Sequence, residues 1–272
     1  MTRKRMTQIF PFLLPLRQKQ RKLFFYLGMR LDKNTYAERK QARPLSCQVC
    51  KTEALMINEG SGFPLKYQYN KVHNLKLAAK KIDGFLIRPG ETFSFWKAAK
   101  DADRDTPYLD GLSLVNGKIQ AEYGGGLCQL SNLLYYLFLH TPLTITERHG
   151  HGTEAIPPAE ETLSGMDATV AEGWLDLKAK NETAHTFQIE IRFTEEKILG
   201  RILSDSPKQF DFHLYNAQVR YTRENGKIYE YSRLCRKRIS CSTGEEKDEI
   251  LCDNRCIIAY PLPAGTEIEE RG

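Results

Sequence analysis

The sequence predicts an α+β fold: a central helix packed on antiparallel sheet, followed by a β-meander and C-terminal β-hairpins. Three observations carry this. Helix-like and strand-like segments are mixed up to about residue 150, whereas the pattern beyond it is wholly β. Phe187, Ile189, Ile191 and Phe193 alternate with polar residues in the period-two pattern of a half-buried strand. The apolar stretch from Leu127 to His140 opens after three glycines and stops at Pro142, as a core helix does.

Taken in order, residues 1–66 read as a basic amphipathic arm. Arg3, Lys4 and Arg5 precede a short apolar run, Ile9 to Leu16, that two prolines break. Arg17, Lys19, Arg21 and Lys22 follow it, and then Leu23-Phe24-Phe25-Tyr26-Leu27. Residues 67–204 read as the α+β core. Asn70 opens a helix carrying Val72, Leu75, Ala79 and Ile82 on one face, and Gly84 ends it. Phe85 to Ile87 is a short strand, Arg88-Pro89-Gly90-Glu91 a turn, and Thr92 to Trp96 alternates again. Asn116-Gly117 between Leu112–Val115 and Lys118–Ala121 is a hairpin signal. After the Leu127–His140 helix come Leu143 to His149 and a meander of 174–180, 186–193 and 197–203. Residues 205–272 add further strands, with Asn225-Gly226 and the region of Thr243 to Glu246 as turns.

The composition, 41% hydrophobic and 27% charged, excludes collagen-like, disordered and multi-span membrane classes. The net charge of +6 is unevenly spread. Residues 1–40 hold eleven Lys and Arg against Asp32 and Glu38, a net of +9, so the rest of the chain sums to −3. Basic residues beside apolar and aromatic patches suit an anionic membrane surface. The other reading of the arm is that it folds onto the body with its charges solvated. No nucleic-acid partner is expected, because the basic residues are confined to the arm and no nucleic-acid motif accompanies them. No stretch approaches the roughly 20 apolar residues that span a bilayer, and the early apolar run lacks the small-residue cleavage site of a secretory signal. The expectation is a cytoplasmic protein, peripheral to the inner face of the membrane.

The most informative segment is Gly124-Gly125-Gly126-Leu127-Cys128-Gln129. Glycines just before a helix let the backbone approach a partner closely, and free N–H groups point out of the first turn. Cys128 lies in that turn, where the helix dipole stabilises a thiolate. At 100° per residue Leu130, Leu133, Leu134 and Leu137 form one face, and Cys128 projects to the other with Ser131, Asn132, Tyr135 and Tyr136. From Cys128 to His140 the helix rises about 18 Å. From Leu143 to His149 a strand covers about 20 Å. A reversal at Thr141-Pro142 therefore brings His149 back level with Cys128, and His151 follows between Gly150 and Gly152. Cysteine at a helix N-terminus beside histidine is what a thiol nucleophile needs: a base for its proton and N–H groups for an oxyanion. Cys128, His149 and His151 are the catalytic candidates. Glu122, Asp110, Asn132 and Asp167 are candidates for a third, orienting group, and spacing does not choose among them. In the alternative reading Gly124, Gly125, Gly126, Gln129, Ser131 and Asn132 hold a carboxylate or phosphate without chemistry. The glycines could also serve tight helix–strand packing alone.

No cofactor or metal is expected. Cys47 and Cys50 form one C-x-x-C. Cys235, Cys241, Cys252 and Cys256 lack the paired spacing of zinc ribbons. A turn near Thr243 would nevertheless set Cys241 nearly opposite Cys252.

The run from Asn74-Leu75-Lys76-Leu77-Ala78-Ala79 through Arg88-Pro89-Gly90-Glu91-Thr92-Phe93-Ser94-Phe95-Trp96, together with Gly124-Gly125-Gly126-Leu127-Cys128-Gln129-Leu130-Ser131-Asn132, resembles the VanW family. The core resemblance covers about residues 70–204. The arm from Arg3 to Arg30 and the C-terminal Tyr260-Pro261-Leu262-Pro263 extend it over nearly the whole chain. The resemblance implies an association with glycopeptide resistance and Gram-positive cell-wall metabolism, and a peptidoglycan precursor or peptide is the expected ligand. It implies no particular reaction. Gly124, Gly125, Gly126, Cys128 and Gln129 carry over as motif positions.

Overall fold

A computed structural model describes residues 14–115, 117–155, 157 and 162–271. Arg3 to Arg5, the start of the apolar run at Ile9 and the turn residue Asn116 lie outside the described residues. Helix α1 (Leu14–Leu31) leads to strands β1 (Thr35–Tyr36) and β2 (Cys47–Leu55), helix α2 (Lys66–Ile82), and strands β3 (Leu86–Ile87) and β4 (Glu91–Ser94). The single-turn helix α3 (Phe95–Ala98), the hairpin of β5 (Asp110–Val115) and β6 (Lys118–Tyr123), and helix α4 (Cys128–Leu139) follow. Then come β7 (Thr144–Glu147), β8 (Thr153–Glu154), β9 (Lys178–Lys180), β10 (Phe187–Phe193) and β11 (Lys197–Ser204). Long strands β12 (Phe210–Glu224), β13 (Lys227–Ser240) and β14 (Glu246–Ile258) and a short β15 (Ile268–Arg271) complete the chain. The fold class is α+β.

The sheets run in the order β1-β4-β9-β7, β2-β11-β10-β3 and β15-β12-β13-β14-β8, with β5 and β6 paired by themselves. The β2–β11–β10–β3 sheet is antiparallel throughout. Parallel pairs occur only at the short strands β1, β8 and β15 among the described residues. Strand β2 differs from the expectation of an arm over residues 1–66. Cys47 to Leu55 alternates in burial and pairs along the length of β11, so the core sheet begins well before residue 67.

Helix α4 is the centre of the core. Leu130, Leu133, Leu134, Leu137 and Phe138 are buried, as the leucine spacing requires. Its polar side is covered too. Ser131 and Tyr135 are buried, Ser131 Oγ donates to the Ala168 carbonyl at 2.5 Å, and Asn132 Oδ1 accepts from Ala168 N at 2.7 Å. The helix meets β11 at Gly200, where a β-carbon would stand 2.7 Å from a Leu137 methyl; a side chain there would push the helix off the sheet. Arg236 of β13 is buried and donates to the carbonyls of Leu139 and Thr141 at 3.0 and 2.9 Å. A cation on the C-terminal carbonyls of α4 satisfies acceptors the helix leaves open and locks the last sheet onto the core.

The first motif is structural. Arg88 makes hydrogen bonds to Glu91 from its backbone N and Nε at 2.9 and 3.0 Å around the Pro89-Gly90 turn, where Gly90 has φ 79°. Phe93 and Phe95 are fully buried, and Phe93 meets Phe138 edge to face at 5.2 Å. Ser94 caps α3 by accepting from Lys97 N and donates to the buried Asp176 at 2.6 Å.

Candidate active site at the N-terminus of helix α4

The three glycines solve a backbone problem before they present any ligand. Gly124 and Gly126 have φ of 73° and 91°, open to glycine without strain. Gly125 and Gly111 face each other so closely that a β-carbon on either would collide with the other's backbone. The buried amide of Asn74 ties this crossing together. It donates to the carbonyls of Leu109 and Gly125 at 2.8 and 3.0 Å and accepts from Leu109 N at 2.8 Å. Two glycine N–H groups are already used, Gly124 N by Leu109 O and Gly125 N by Glu122 O. Among the described residues, the N–H groups of Leu127 and Cys128 donate to nothing, so they are the free donors of the first turn. The stem of Lys71 packs across Gly126, and burial pushes the Lys71 ammonium down to about 8.

Cys128 begins α4, half-buried, with Sγ 3.9 Å from the Val170 carbonyl. The Cys128 side chain lies close enough to His151 to act on its protonation. Nδ1 of His151 lies 2.7 Å from Asp167 Oδ2, which also accepts from the His151 backbone N–H. Asp167 is held in turn by Arg148, whose Nη2 donates to Oδ1 at 2.5 Å and whose Nε donates to the Asp167 carbonyl at 2.6 Å. Arg148 also reaches the Gly165 carbonyl and Asn254 Oδ1, at 3.0 and 3.1 Å. With Nδ1 on the carboxylate, Nε2 is the nitrogen left for the thiol. Burial alone would lower the His151 pKa, but the hydrogen-bonded Asp167 carboxylate and the neighbouring Cys128 raise it to about 10. Burial works against the Asp167 carboxylate as well, yet His151 and Arg148 hold it below the usual carboxylate range.

His149 goes elsewhere. Its Nε2 lies 3.0 Å from Glu147 Oε1, and Glu147 also takes Lys178 Nζ at 2.9 Å and Asp176 N at 3.1 Å. The expected alignment of His149 with Cys128 assumed a regular strand from Leu143 to His149. Strand β7 instead stops at Glu147, and its register against β9 shifts between Ile145 and Glu147. The loop Arg148–Gly152 then turns His149 outward and His151 inward. Of the four candidates for a third group, Asp167 is the one in place. Asn132 is bonded to Ala168, the residue after it. Asp110 is exposed on β5, and Glu122 accepts from Gln120. Gln129 Nε2 donates to the Leu55 carbonyl at 2.6 Å, which anchors α4 to β2. Ser131 serves the Ala168 and Cys128 carbonyls. Arg148, the residue that orients Asp167, was missed in the sequence; its place directly before the two histidines was the available signal.

The remaining six cysteines are free thiols, like Cys128. Cys252 opposes Leu234, not Cys241, because β13 ends at Ser240 and its register against β14 shifts between Leu234 and Cys235. Cys50 is half-buried and donates to the Leu137 carbonyl at 3.4 Å, and desolvation pushes its thiol up to about 12.

Fold and site define an α+β protein with a cysteine at a helix N-terminus beside an imidazole–carboxylate pair. A family model described as VanW like protein matches residues 70–203. The chain is 48% identical over 272 residues to the Vancomycin B-type resistance protein VanW of Enterococcus faecalis (strain ATCC 700802 / V583), covering 99% of each. It is also 34% identical over 113 residues to YoaR of Bacillus subtilis (strain 168), covering 42% of this chain and 36% of that one. No solved structure matches. The chain belongs to the VanW family.

Proposed function

We propose that the protein is a cysteine-dependent enzyme of acyl transfer or hydrolysis. Its substrate is an amide of a peptidoglycan precursor or peptide, and it works in glycopeptide resistance. One observation carries the chemistry: His151, hydrogen-bonded to Asp167 through Nδ1, lies beside Cys128. The cell-wall setting rests on the likeness to the enterococcal relative named for vancomycin B-type resistance.

In this reading the Cys128 sulfur attacks the amide carbonyl carbon as a thiolate, its proton held on Nε2 of the His151 imidazolium, and Leu127 and Cys128 N–H face the developing oxyanion. As the C–N bond breaks, Nε2 of the imidazolium gives its proton to the departing amine, leaving a thioester on Cys128. The now neutral His151 takes a proton from water or an acceptor amine. That nucleophile bonds to the acyl carbon, the C–S bond breaks, and the ion pair is restored. Asp167 keeps Nδ1–H engaged, so Nε2 is the nitrogen that exchanges protons.

Intact-mass spectrometry tests this after mixing the protein with solubilised peptidoglycan peptides. A hydroxylamine-labile acyl adduct on Cys128, absent from Cys128→Ala and reduced in His151→Ala, is expected. Adducts that persist in Cys128→Ala, or a complete lack of adduct and of product, would contradict it. The second reading, a carboxylate or phosphate held without chemistry, is favoured by Lys71 across Gly126 and weakened by the two glycine N–H groups already engaged.

The arm supports a location at an anionic membrane surface, on the cytoplasmic side. Helix α1 is seated on the body through Tyr26, whose hydroxyl donates to Glu172 at 2.9 Å, and through buried Met29. Its opposite face exposes Leu16, Leu23, Phe24, Leu27 and Leu31, flanked by Arg17, Lys19, Arg21 and Arg30. No helix of the described residues is long and apolar enough to cross a membrane, so this face would lie on the bilayer surface.

A further inference from the structure

We propose that Glu154, Glu230 and Cys256 bind one zinc ion, at a site separate from Cys128. The three come from three adjacent strands of the C-terminal sheet. Glu230 of β13 stands directly opposite Cys256 of β14, and Glu154 of β8 pairs with Ile258, two residues along the same strand. Their donor atoms lie within 4.8 Å of one another. Glu230 is 4% exposed and Cys256 1% exposed.

The second oxygen of each carboxylate is already held. Tyr221 donates to Glu230 Oε2 and Tyr260 to Glu154 Oε2, both at 3.1 Å. Glu230 Oε1 is buried and has no hydrogen-bond partner among the described residues. A buried carboxylate oxygen without a donor is costly, and two carboxylates beside a thiol repel one another. A cation relieves both costs at once. One thiolate with two carboxylates suits zinc better than magnesium or calcium, which prefer oxygen alone. Zinc bond lengths set neighbouring ligands about 3.3–3.8 Å apart in a tetrahedron, leaving the fourth position to water. The donors thus need only side-chain adjustment. Such an ion would tie Glu154, three residues after His151, to β14. It would also explain two tyrosines aimed at the same pair of carboxylates. The sequence hid the site because Glu154 and Glu230 lie far from Cys256 along the chain or on another strand.

The test uses the full chain, freed of metal with a chelator and then titrated with zinc and with cobalt. One equivalent of zinc should remain after desalting, and cobalt should give a thiolate charge-transfer band. Cys256→Ser should lose that band, and Glu230→Gln and Glu154→Gln should weaken zinc binding at least about tenfold. Glu154 is only half-buried, so that variant is expected to fold even if a core variant does not. Failure of the wild-type chain to retain zinc would overturn the proposal, and so would unchanged binding in all three variants.

Discussion

Asp167 grips His151 twice, accepting from its backbone N–H and from Nδ1 at 2.7 Å, and so fixes both the loop and the ring. His149, two residues earlier, lies against Glu147. A carboxylate that holds backbone and imidazole together leaves the ring little freedom to turn. The price of burying Asp167 is offset by Arg148, which brackets it from the other side.

Asp167→Asn should therefore disturb His151 more than it disturbs the fold. In the wild type, His151 is raised from 6.5 to about 10. Its stabilising contribution is full below about pH 6.5 and is lost as pH rises through about 10. In the variant the ring should titrate at least about one unit lower, as followed by NMR of its Cε1–H, and the loss of stability should begin at lower pH. A His151 titration unchanged by Asp167→Asn would contradict the arrangement.

Asp176 gives a pH dependence of opposite origin. Burial raises it from 3.8 to about 6, despite hydrogen bonds from Ser94 and Trp96 N. Its contribution is greatest below about pH 4 and is lost as pH rises through about 6, a change of about 3 kcal/mol. Urea unfolding of wild type and Asp176→Asn should show their stability difference shrinking by that order between about pH 4 and pH 7. A constant difference would show that Asp176 titrates normally.

The Gly111–Gly125 crossing should tolerate no side chain. Gly125→Ala puts a methyl into the Gly111 backbone, and Asn74→Ala strands one donor and two acceptors. Each should cost about 2–4 kcal/mol in denaturant unfolding. A loss under about 0.5 kcal/mol, typical of a surface change, would contradict the close backbone crossing.

Replacing Leu23 and Leu27 of α1 by Glu should abolish cosedimentation with anionic vesicles and leave the circular dichroism spectrum intact. Both side chains face away from the body. Equal binding by the double variant would remove the membrane role of this face.

The core helix was legible because four leucines at helical spacing sit between glycines and a proline. The β10–β11 hairpin was legible because strict alternation has one physical reading. The site was half legible. Cys128 followed from its place after three glycines, but the choice between His149 and His151 turned on where β7 ends, a register shift that no residue pattern announces. The supposed polar face of α4 failed as a surface for a related reason. Ser131 and Asn132 are covered by the loop carrying Asp167 and Ala168, and Tyr135 by the Arg148 guanidinium, 5.6 Å from its ring; such partners are set by tertiary contacts. The strand Cys47–Leu55 was absorbed into an arm because its alternation breaks at Val49 and Cys50, which are both half-buried, and because apolar Leu55 falls on the exposed face.

The most direct measurement is the rate of Cys128 alkylation by iodoacetamide near neutral pH, read by peptide mass spectrometry in wild type, His151→Ala and His149→Ala. A thiol paired with the His151 imidazolium should be alkylated at least about tenfold more slowly once His151 is removed, and at the wild-type rate when His149 is removed. Equal rates in wild type and His151→Ala, or a loss confined to His149→Ala, would contradict the Cys128–His151–Asp167 assignment.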